Sequence, residues 1–278
     1  MQQKTKVIDL YEFFYPGYKA GGPVQSLMNM VTLLSSHFNF AVATTAFDLQ
    51  EQIPYSSVQL DNWNSVQLSK NSHDKIPVFY SSKRSISFWQ LYKNIKESNC
   101  NIIYINGFYT RHFLFPLIYK KFFLLKGKEI IVSPRGMLQM GALKSKSFQK
   151  EIFLSTMKIF GLMKNVKYHA TTNDEAEDVK KIFGKSAKVV VAGNVPKTPF
   201  ANSKKAVKQK GVLKLIYLSL ITEKKNLLLL LNVLLKSNEN IELDIYGPIK
   251  DQQYWKQCQQ LIEQQPKNIL ITYKGDIS

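Results

Sequence analysis

The sequence predicts an α/β fold with two doubly wound domains, the second of them incomplete. Short apolar, β-branched runs alternate with stretches that are apolar at helical spacing, the pattern of parallel strands buried between helix layers. A segment rich in Lys, Pro, Asn and Ser interrupts the alternation once, at residues 196–210. We therefore expect a first domain at residues 1–197, a linker at 198–212 and a partial second domain at 213–278.

The first domain contains seven apolar runs that predict strands and five stretches that predict helices. The predicted strands are residues 7–14, 40–45, 76–80, 101–105, 128–132, 167–171 and 188–192. The predicted helices are residues 24–35, 87–97, 113–125, 147–164 and 172–183. Pro116 predicts a kink in the third helix, and Thr172 with Glu175 has capping-box spacing at the start of the last one. The residues between the second and third strands are polar and predict a loop.

The second domain repeats the same alternation and then stops. Strands are predicted at residues 213–219, 241–246 and 269–273, and helices at 226–236 and 253–264. Three strands and two helices are about half of a doubly wound domain. The pattern therefore predicts that this domain is cut short.

Composition excludes several classes of protein. The chain has 278 residues, is 45% hydrophobic and 21% charged, and is therefore globular. Cys100 and Cys258 are far apart in the sequence, which argues against a disulfide framework and a structural zinc and favours a reducing cytoplasm. The first residues lead directly into a strand, so no signal peptide is expected. The most apolar stretch, residues 113–125, is far shorter than the ~20 residues that span a bilayer.

Positive charge is concentrated in the middle of the chain. The net charge is +18, and residues 112–210 hold 20 Lys and Arg against six acidic residues. Such a field attracts phosphates on a nucleotide, a nucleic acid or an anionic lipid. A solvated basic face is the alternative. No nucleic-acid-binding pattern accompanies the charge, so we do not expect a nucleic-acid partner.

The segment at residues 133–144 is the first candidate site. It follows a predicted strand and carries Arg135, Gly136, Gly141 and Lys144. Ligands of open parallel sheets bind at the carboxyl ends of the strands, so Arg135 and Lys144 could hold a diphosphate or a sugar. The alternative is an ordinary surface loop in which both cations face only water.

Other polar or glycine-bearing segments also follow predicted strands. They are Gly21-Gly22, Asn106-Gly107, Gly193-Asn194, residues 219–226 and Gly247-Pro248. Together with residues 133–144 they predict a cleft between two facing domains.

Two of these segments precede helices and are candidate anion sites. Gly21-Gly22 would let backbone N–H groups approach an anion, although a simple turn is the alternative. Lys224 and Lys225 precede the first helix of the second domain, where helix dipole and ammonium groups favour a diphosphate, although exposed lysines are common there.

The sequence gives little support to metal-dependent chemistry or to serine-type hydrolysis. No metal-binding pair of histidines, Ser/His/Asp arrangement, HExxH motif or Walker loop is present, so we expect neither a metal nor serine-type hydrolysis. His112 lies near a strand end, and the other three histidines are predicted to be structural or exposed. The helix at residues 147–164 is basic and amphipathic, compatible with an acidic membrane surface or with ordinary packing on the sheet.

Taken together, the chain resembles the glycosyltransferases of family 4, retaining enzymes of the GT-B fold, and especially those of bacterial surface-polysaccharide synthesis. The resemblance rests on these segments: Tyr18-Lys19-Ala20-Gly21-Gly22-Pro23-Val24-Gln25-Ser26-Leu27, Ser133-Pro134-Arg135-Gly136-Met137-Leu138, residues 142–144, residues 217–227, residues 243–248 and residues 273–275. It implies two Rossmann-like domains, of which residues 1–197 bind the acceptor and residues 213–278 are part of the donor-binding domain.

The resemblance also implies an activity and a set of residues. The activity is transfer of a sugar from a nucleotide-sugar to a glycan or lipid-linked acceptor without a metal, in capsule or lipopolysaccharide synthesis. The chain would work in the cytoplasm, peripherally on the inner face of the cytoplasmic membrane, in contact with anionic lipid. The acceptor would lie near Gly21, Gly22, Asn106, Arg135 and Lys144, and the donor near Lys224, Lys225 and Gly247, with Arg135 and Lys225 as catalytic residues.

Three departures from the family pattern support a non-catalytic alternative. Leu220 occupies the Arg position of the family's Arg-x4-Lys pair, whose Lys is Lys225, and Asn106 occupies the position of the family's histidine. The Glu-x7-Glu donor motif is expected beyond Gly275, and no two glutamates of this chain have that spacing. The alternative is a truncated, inactive module that binds a membrane or a partner.

Overall fold

The computed structural model describes residues 4–68, 75–139, 147–196 and 209–276. The chain forms two compact units, residues 1–199 and residues 200–278. We call them unit 1 and unit 2 and describe each by itself. Most of the predicted linker lies outside the described residues.

Unit 1 is built on one sheet of eight strands. They are β1 (Thr5–Leu10), β2 (Phe38–Thr45), β3 (Trp63–Gln67), β4 (Lys75–Ser81), β5 (Ile102–Asn106), β6 (Glu129–Ser133), β7 (Lys167–Ala170) and β8 (Lys188–Val191). Their spatial order is β3-β4-β2-β1-β5-β6-β7-β8, and every pair except β3–β4 is parallel. β3 is an antiparallel edge strand in a stretch predicted to be a loop, so that prediction was wrong.

Five helices of unit 1 connect these strands. They are α1 (Gly22–Leu34), α2 (Phe88–Glu97), α3 (Arg111–Lys121), α4 (Ser147–Ile159) and α5 (Asn173–Phe183). Side chains of Ser87, Thr110 and Thr172 cap α2, α3 and α5 by accepting a bond from a backbone N–H of the first turn. Two helices are shorter than predicted: α3 ends at Lys121 rather than near residue 125, and α4 ends at Ile159 rather than near residue 164.

The sheet of unit 1 has an apolar cluster on each face. On one face, α1 packs Val24, Leu27 and Val31 against strand residues such as Val42. On the other face lie α2, α3, α4 and α5, which bury Leu91, Leu117, Leu154 and Val179. Because both faces of the central strands are covered, those strands are apolar on both sides, which explains their continuous apolar runs.

Unit 2 is a three-stranded parallel sheet with two α-helices. Its elements are β9 (Val212–Leu218), a 3-10 turn (Glu223–Lys225), α6 (Leu227–Leu234), β10 (Asn240–Tyr246), α7 (Gln252–Ile262) and β11 (Ile269–Gly275). The strands lie in the order β11-β10-β9. Ile241, Leu243 and Ile245 of β10 pack against Leu231 of α6 and Trp255 of α7.

Candidate functional site

Arg135 lies in a tight turn at the carboxyl end of β6. Arg135 and Gly136 have φ angles of 54° and 74°, and Met137 N donates to Pro134 O at 3.1 Å, features of a type I′ turn. A left-handed conformation costs a residue other than glycine about 1 kcal/mol, so contacts of the side chain and the turn must hold Arg135 in place. The turn sets the Arg135 side chain at the strand-end edge of the sheet.

The guanidinium of Arg135 is held by three side chains from separate parts of unit 1. Its Nε donates to Asn106 Oδ1 at 2.9 Å, and its Nη1 donates to Ser26 Oγ at 3.2 Å and to Asn194 Oδ1. Ser26 Oγ also donates to Asn194 Oδ1 at 2.8 Å. No acceptor for Nη2 is found among the residues that the structure describes. The guanidinium is therefore fixed in orientation by Nε and Nη1, and Nη2 keeps its hydrogen-bonding capacity within the described residues.

Asp9 of β1 lies beneath this cluster and is fully buried. Its Oδ1 accepts a hydrogen bond from Asn106 Nδ2 at 2.6 Å, and its Oδ2 has no partner among the described residues. Burial raises the pKa of Asp9 well above its ordinary value of 3.8, and the charge of Arg135 and the bond from Asn106 offset this only in part. Asn106 is thus oriented from both sides, as a donor to Asp9 and an acceptor from Arg135.

The raised pKa of Asp9 gives an expected pH dependence of stability. Between pH 3.8 and the raised pKa, the folded protein holds a proton that the unfolded chain has lost. The free energy of unfolding should therefore fall as the pH rises through this interval, by at most about 1.4 kcal/mol per pH unit. Asn carries no such proton, so Asp9→Asn should lose this contribution. Denaturant titrations of both proteins between about pH 4 and 7 measure it, and identical pH slopes would contradict a raised pKa.

Glu175 ties the turn of Arg135 to the start of α5. It is 1% exposed, its Oε1 accepts from Gly136 N at 2.6 Å, and its Oε2 accepts from Thr171 N at 2.6 Å. Thr172 Oγ1 accepts from Glu175 N at 3.2 Å, which is one half of the predicted capping box. The other half of the box would be a hydrogen bond from Thr172 N to the Glu175 carboxylate, and the carboxylate does not form it. It supports instead the strained turn that presents Arg135.

Gly21 and Gly22 lie at the amino end of α1, the helix that carries Ser26. Gly21 has a φ of 72°, and no described atom lies within 4 Å of the position that a Cβ of either glycine would take. No side chain caps this helix end. The helix dipole and the uncapped N–H of Gly22 favour an anion here, on the helix that Arg135 contacts.

Burial lowers the pKa of two histidines of unit 1 and so favours their neutral form. His169 Nε2 contacts Ala192 O at 2.8 Å, which requires a proton on Nε2, and its Nδ1 accepts from Tyr104 OH. His112 is 1% exposed without a described partner for either ring nitrogen, and burial lowers its pKa to about 3. His169 therefore holds the chain that follows β8, which leads to Asn194, and His112 is a core residue.

Unit 2 places Lys224 and Lys225 in the exposed 3-10 turn before α6. Neither lysine forms an ion pair with any residue that the structure describes. Tyr217 OH donates to Lys225 O at 3.4 Å, and Asn226 takes a left-handed conformation with φ 50°. Two ammonium groups are thus presented at the strand-end edge of this unit.

Gly247 is required by packing at the end of β10. Its φ is 134°, and a Cβ there would lie 1.9 Å from Ser219 O, the backbone that follows β9. Tyr273 OH donates to Gly247 O at 3.0 Å. The close approach of the two strand-end loops explains the glycine, and a role of Gly247 in donor binding stays a prediction.

The predicted site residues of unit 1 are brought together only in part. Arg135 and Asn106 touch, Gly21 and Gly22 are on the adjoining helix, and Lys144 lies outside the described residues. Asn194 belongs to the predicted strand-end segment Gly193-Asn194 and joins the cluster, whereas Asp9, Ser26 and Glu175 were not predicted as members of it. Asp9 was recognisable as a charged residue inside an apolar strand. Within the described ranges, no three His, Cys, Asp or Glu side chains are grouped to hold a metal ion.

Comparisons with known proteins identify the fold. No family model and no curated protein matches the chain. HepE from Anabaena, in complex with UDP and glucose, has a TM-score of 0.57 and 13% identity, covering 99% of this chain and 70% of that one. A glycosyltransferase from Rickettsia africae has a TM-score of 0.56 and 12% identity, covering 99% and 69%. The lipopolysaccharide outer core galactosyltransferase WaaB has values of 0.52 and 15%, covering 99% and 69%.

At these identities the likeness shows the fold alone. It confirms the predicted α/β class and its GT-B type. The particular family within that fold stays a prediction.

Proposed function

We propose that this protein is a retaining glycosyltransferase that moves a sugar from a nucleotide-sugar to a glycan or lipid-linked acceptor. The polysaccharide pathways of capsule and lipopolysaccharide are the setting that the sequence resemblance implies. Similar folds belong to proteins described as glycosyltransferases, one of them with UDP and glucose bound. The proposal includes no metal, because lysine, arginine and helix N–H groups supply the positive charge.

The observation that carries the proposal is the oriented guanidinium of Arg135. Asn106, Ser26 and Asn194 fix two of its nitrogens, and Nη2 has no described acceptor. The amino end of α1, with the open backbone of Gly21 and Gly22, adjoins it. A preorganised cation beside a helix amino end is suited to an anionic or polyhydroxylic ligand.

The proposed reaction breaks the bond between the anomeric carbon and the diphosphate of the donor. A bond from that carbon to an acceptor oxygen forms on the same face, and the acceptor hydroxyl passes its proton to the departing diphosphate. Positive charge develops on the sugar ring while negative charge builds on the departing diphosphate. Lys225 and Lys224 would stabilise the diphosphate, and Arg135 would act in the acceptor site of unit 1.

Contact with an anionic membrane is a second part of the proposal. The excess of 14 positive charges at residues 112–210 supports it, because basic segments are attracted to acidic headgroups. No helix in the described part of the chain is long and apolar enough to cross a bilayer. The contact that we propose is with the surface of the cytoplasmic leaflet.

A non-catalytic module is the second candidate. The observation that favours it is Leu220, an apolar residue at the position where the resemblance implies an arginine for the diphosphate. Such a module would bind a membrane or a partner without turning over a nucleotide-sugar.

Calorimetry with a panel of nucleotide-sugars separates the two candidates. We expect a transferase to bind at least one nucleotide-sugar more tightly than the sugar alone, because its cations bind the diphosphate. Release of nucleoside diphosphate in the presence of glycan or lipid-linked acceptors then tests transfer. Absence of nucleotide-sugar binding across the panel would leave the non-catalytic candidate.

A further inference from the structure

The outer face of α4 is apolar although the helix also packs on the sheet. Leu154 and Met157 are 7% and 1% exposed and belong to the core. Phe148, Ile152 and Ile159 are 73%, 51% and 81% exposed. Packing therefore accounts for one side of α4 and leaves the other side without a partner among the described residues.

The three exposed residues form a single stripe. At 100° per residue, positions 148, 152 and 159 fall within about 40° of one another around the helix axis. The stripe spans the helix from its first turn to its last residue, and Phe160, 61% exposed, follows it directly. A stripe of this kind is the apolar side of a helix that lies in an interface.

A second apolar segment adjoins the end of this stripe. The chain leaves α3 at Phe122 and Phe123, which are 68% and 75% exposed, and Phe123 has a φ of 59°. Lys120 Nζ donates to Asn165 O at 3.0 Å, which joins the end of α3 to the turn that follows α4. The two segments precede β6 and β7, which are neighbours in the sheet. They therefore lie at the same edge of unit 1.

The charge around these residues is almost entirely positive. Residues 111–128 and 148–166 contain eight Lys and Arg and one acidic residue, Glu151. Lys121 and Lys126 flank the exposed phenylalanines, and Lys158 and Lys164 flank Ile159 and Phe160; all four lysines are exposed. Aromatic and aliphatic side chains surrounded by lysines fit a surface that is apolar below a layer of anionic groups.

We propose that these residues form a membrane-docking surface for anionic lipid. The surface consists of Phe122, Phe123, Phe148, Ile152, Ile159 and Phe160. Their side chains enter the boundary between headgroups and acyl chains, and the surrounding lysines bind lipid phosphates. This inference deepens the membrane contact of the proposed function and rests on that part alone.

Vesicle co-sedimentation without nucleotide-sugar tests the docking surface. We expect the protein to bind vesicles of phosphatidylcholine mixed with phosphatidylglycerol, and to bind pure phosphatidylcholine less. Replacing both Ile159 and Phe160 with Ser should lower the partition coefficient by at least about tenfold, since each loses an apolar side chain from the lipid. Replacing Lys121 and Lys126 with Gln should lower it about fivefold per lysine at low salt.

Ile53→Ser is the matched control, because Ile53 is 78% exposed and lies outside the surface. It should bind as the unsubstituted protein does. Failure of the unsubstituted protein to bind mixed vesicles, or an equal loss with Ile53→Ser, would overturn the proposal. If the protein forms a dimer in lipid-free buffer and the Ile159 and Phe160 substitutions dissociate it, the surface binds a second copy of the chain. That result would also overturn the proposal of lipid docking. Nucleotide-sugar binding in lipid-free buffer tests sugar transfer separately.

Discussion

Arg135→Lys is expected to lower the rate of sugar transfer by about 10²- to 10³-fold. The substitution keeps the charge but removes the fork that donates to Asn106, Ser26 and Asn194 at once. Those three side chains would lose their common donor, and the ammonium would no longer be oriented. The measurement is the release of nucleoside diphosphate with donor and acceptor present. Asn106 would lose its hydrogen bond from Arg135, and its hydrogen bond to Asp9 would be less well oriented as a result.

Arg84→Lys is the matched control for this experiment. Arg84 donates to Gln52 Oε1 and to the backbone oxygen of Glu51, away from the Arg135 cluster. Its substitution should leave the rate unchanged. An unchanged rate in Arg135→Lys, with the control also unchanged, would remove Arg135 from the mechanism.

Lys225→Ala is expected to lower the rate by orders of magnitude, about 10²-fold or more. Lys225 is exposed, lies directly before α6 and has no ion-pair partner in the described part of the chain, so its charge is available to a diphosphate. The contribution is to the transition state, in which the diphosphate gains charge. The effect should therefore fall on kcat in the same assay.

The control for Lys225→Ala is Lys236→Ala, at the opposite end of α6 and also exposed. Both variants should unfold at the same denaturant concentration as the unsubstituted protein, because neither side chain is buried. A rate for Lys225→Ala equal to that of Lys236→Ala would exclude Lys225 from catalysis and favour the non-catalytic module.

The order of strands and helices was predictable because a strand that is buried on both faces has a continuous run of apolar residues. Val132 and Ile105, for example, belong to runs in which every residue is apolar, and both are fully buried. The edge strand β3 has no continuous apolar run. Its residues Trp63–Gln67 mix polar and apolar side chains and are partly or fully exposed, because β3 is at the edge of the sheet formed by the described residues.

The end of α3 was mispredicted for a physical reason. Residues 122–125 continue an apolar run, and an apolar run in a sequence is read as buried. In the structure only Leu125 is buried, whereas Phe122 and Phe123 are exposed. The identity of an apolar residue does not show whether it is buried in the core or exposed on the surface. The prediction therefore failed at Phe122 and Phe123, which belong to the proposed docking surface.

The site was predictable to the extent that it lies at strand ends. Arg135 and Asn106 each follow or end a strand, and the register of β5 and β6 pairs Asn106 with Ser133, two residues before Arg135. Ser26 and Asn194 are separated by 168 positions in the sequence and meet only in the folded protein. Glu175 was recognisable as a cap, but its bond to Gly136 depends on the tertiary packing that brings the start of α5 beside the turn after β6. Such partners follow from tertiary structure rather than from spacing.

A crystal structure of the protein with a bound nucleoside diphosphate tests the central claim most directly, namely that Lys225 binds the diphosphate of the donor. We expect Lys225 Nζ within about 3 Å of a phosphate oxygen. A diphosphate bound away from Lys225 would contradict the claim.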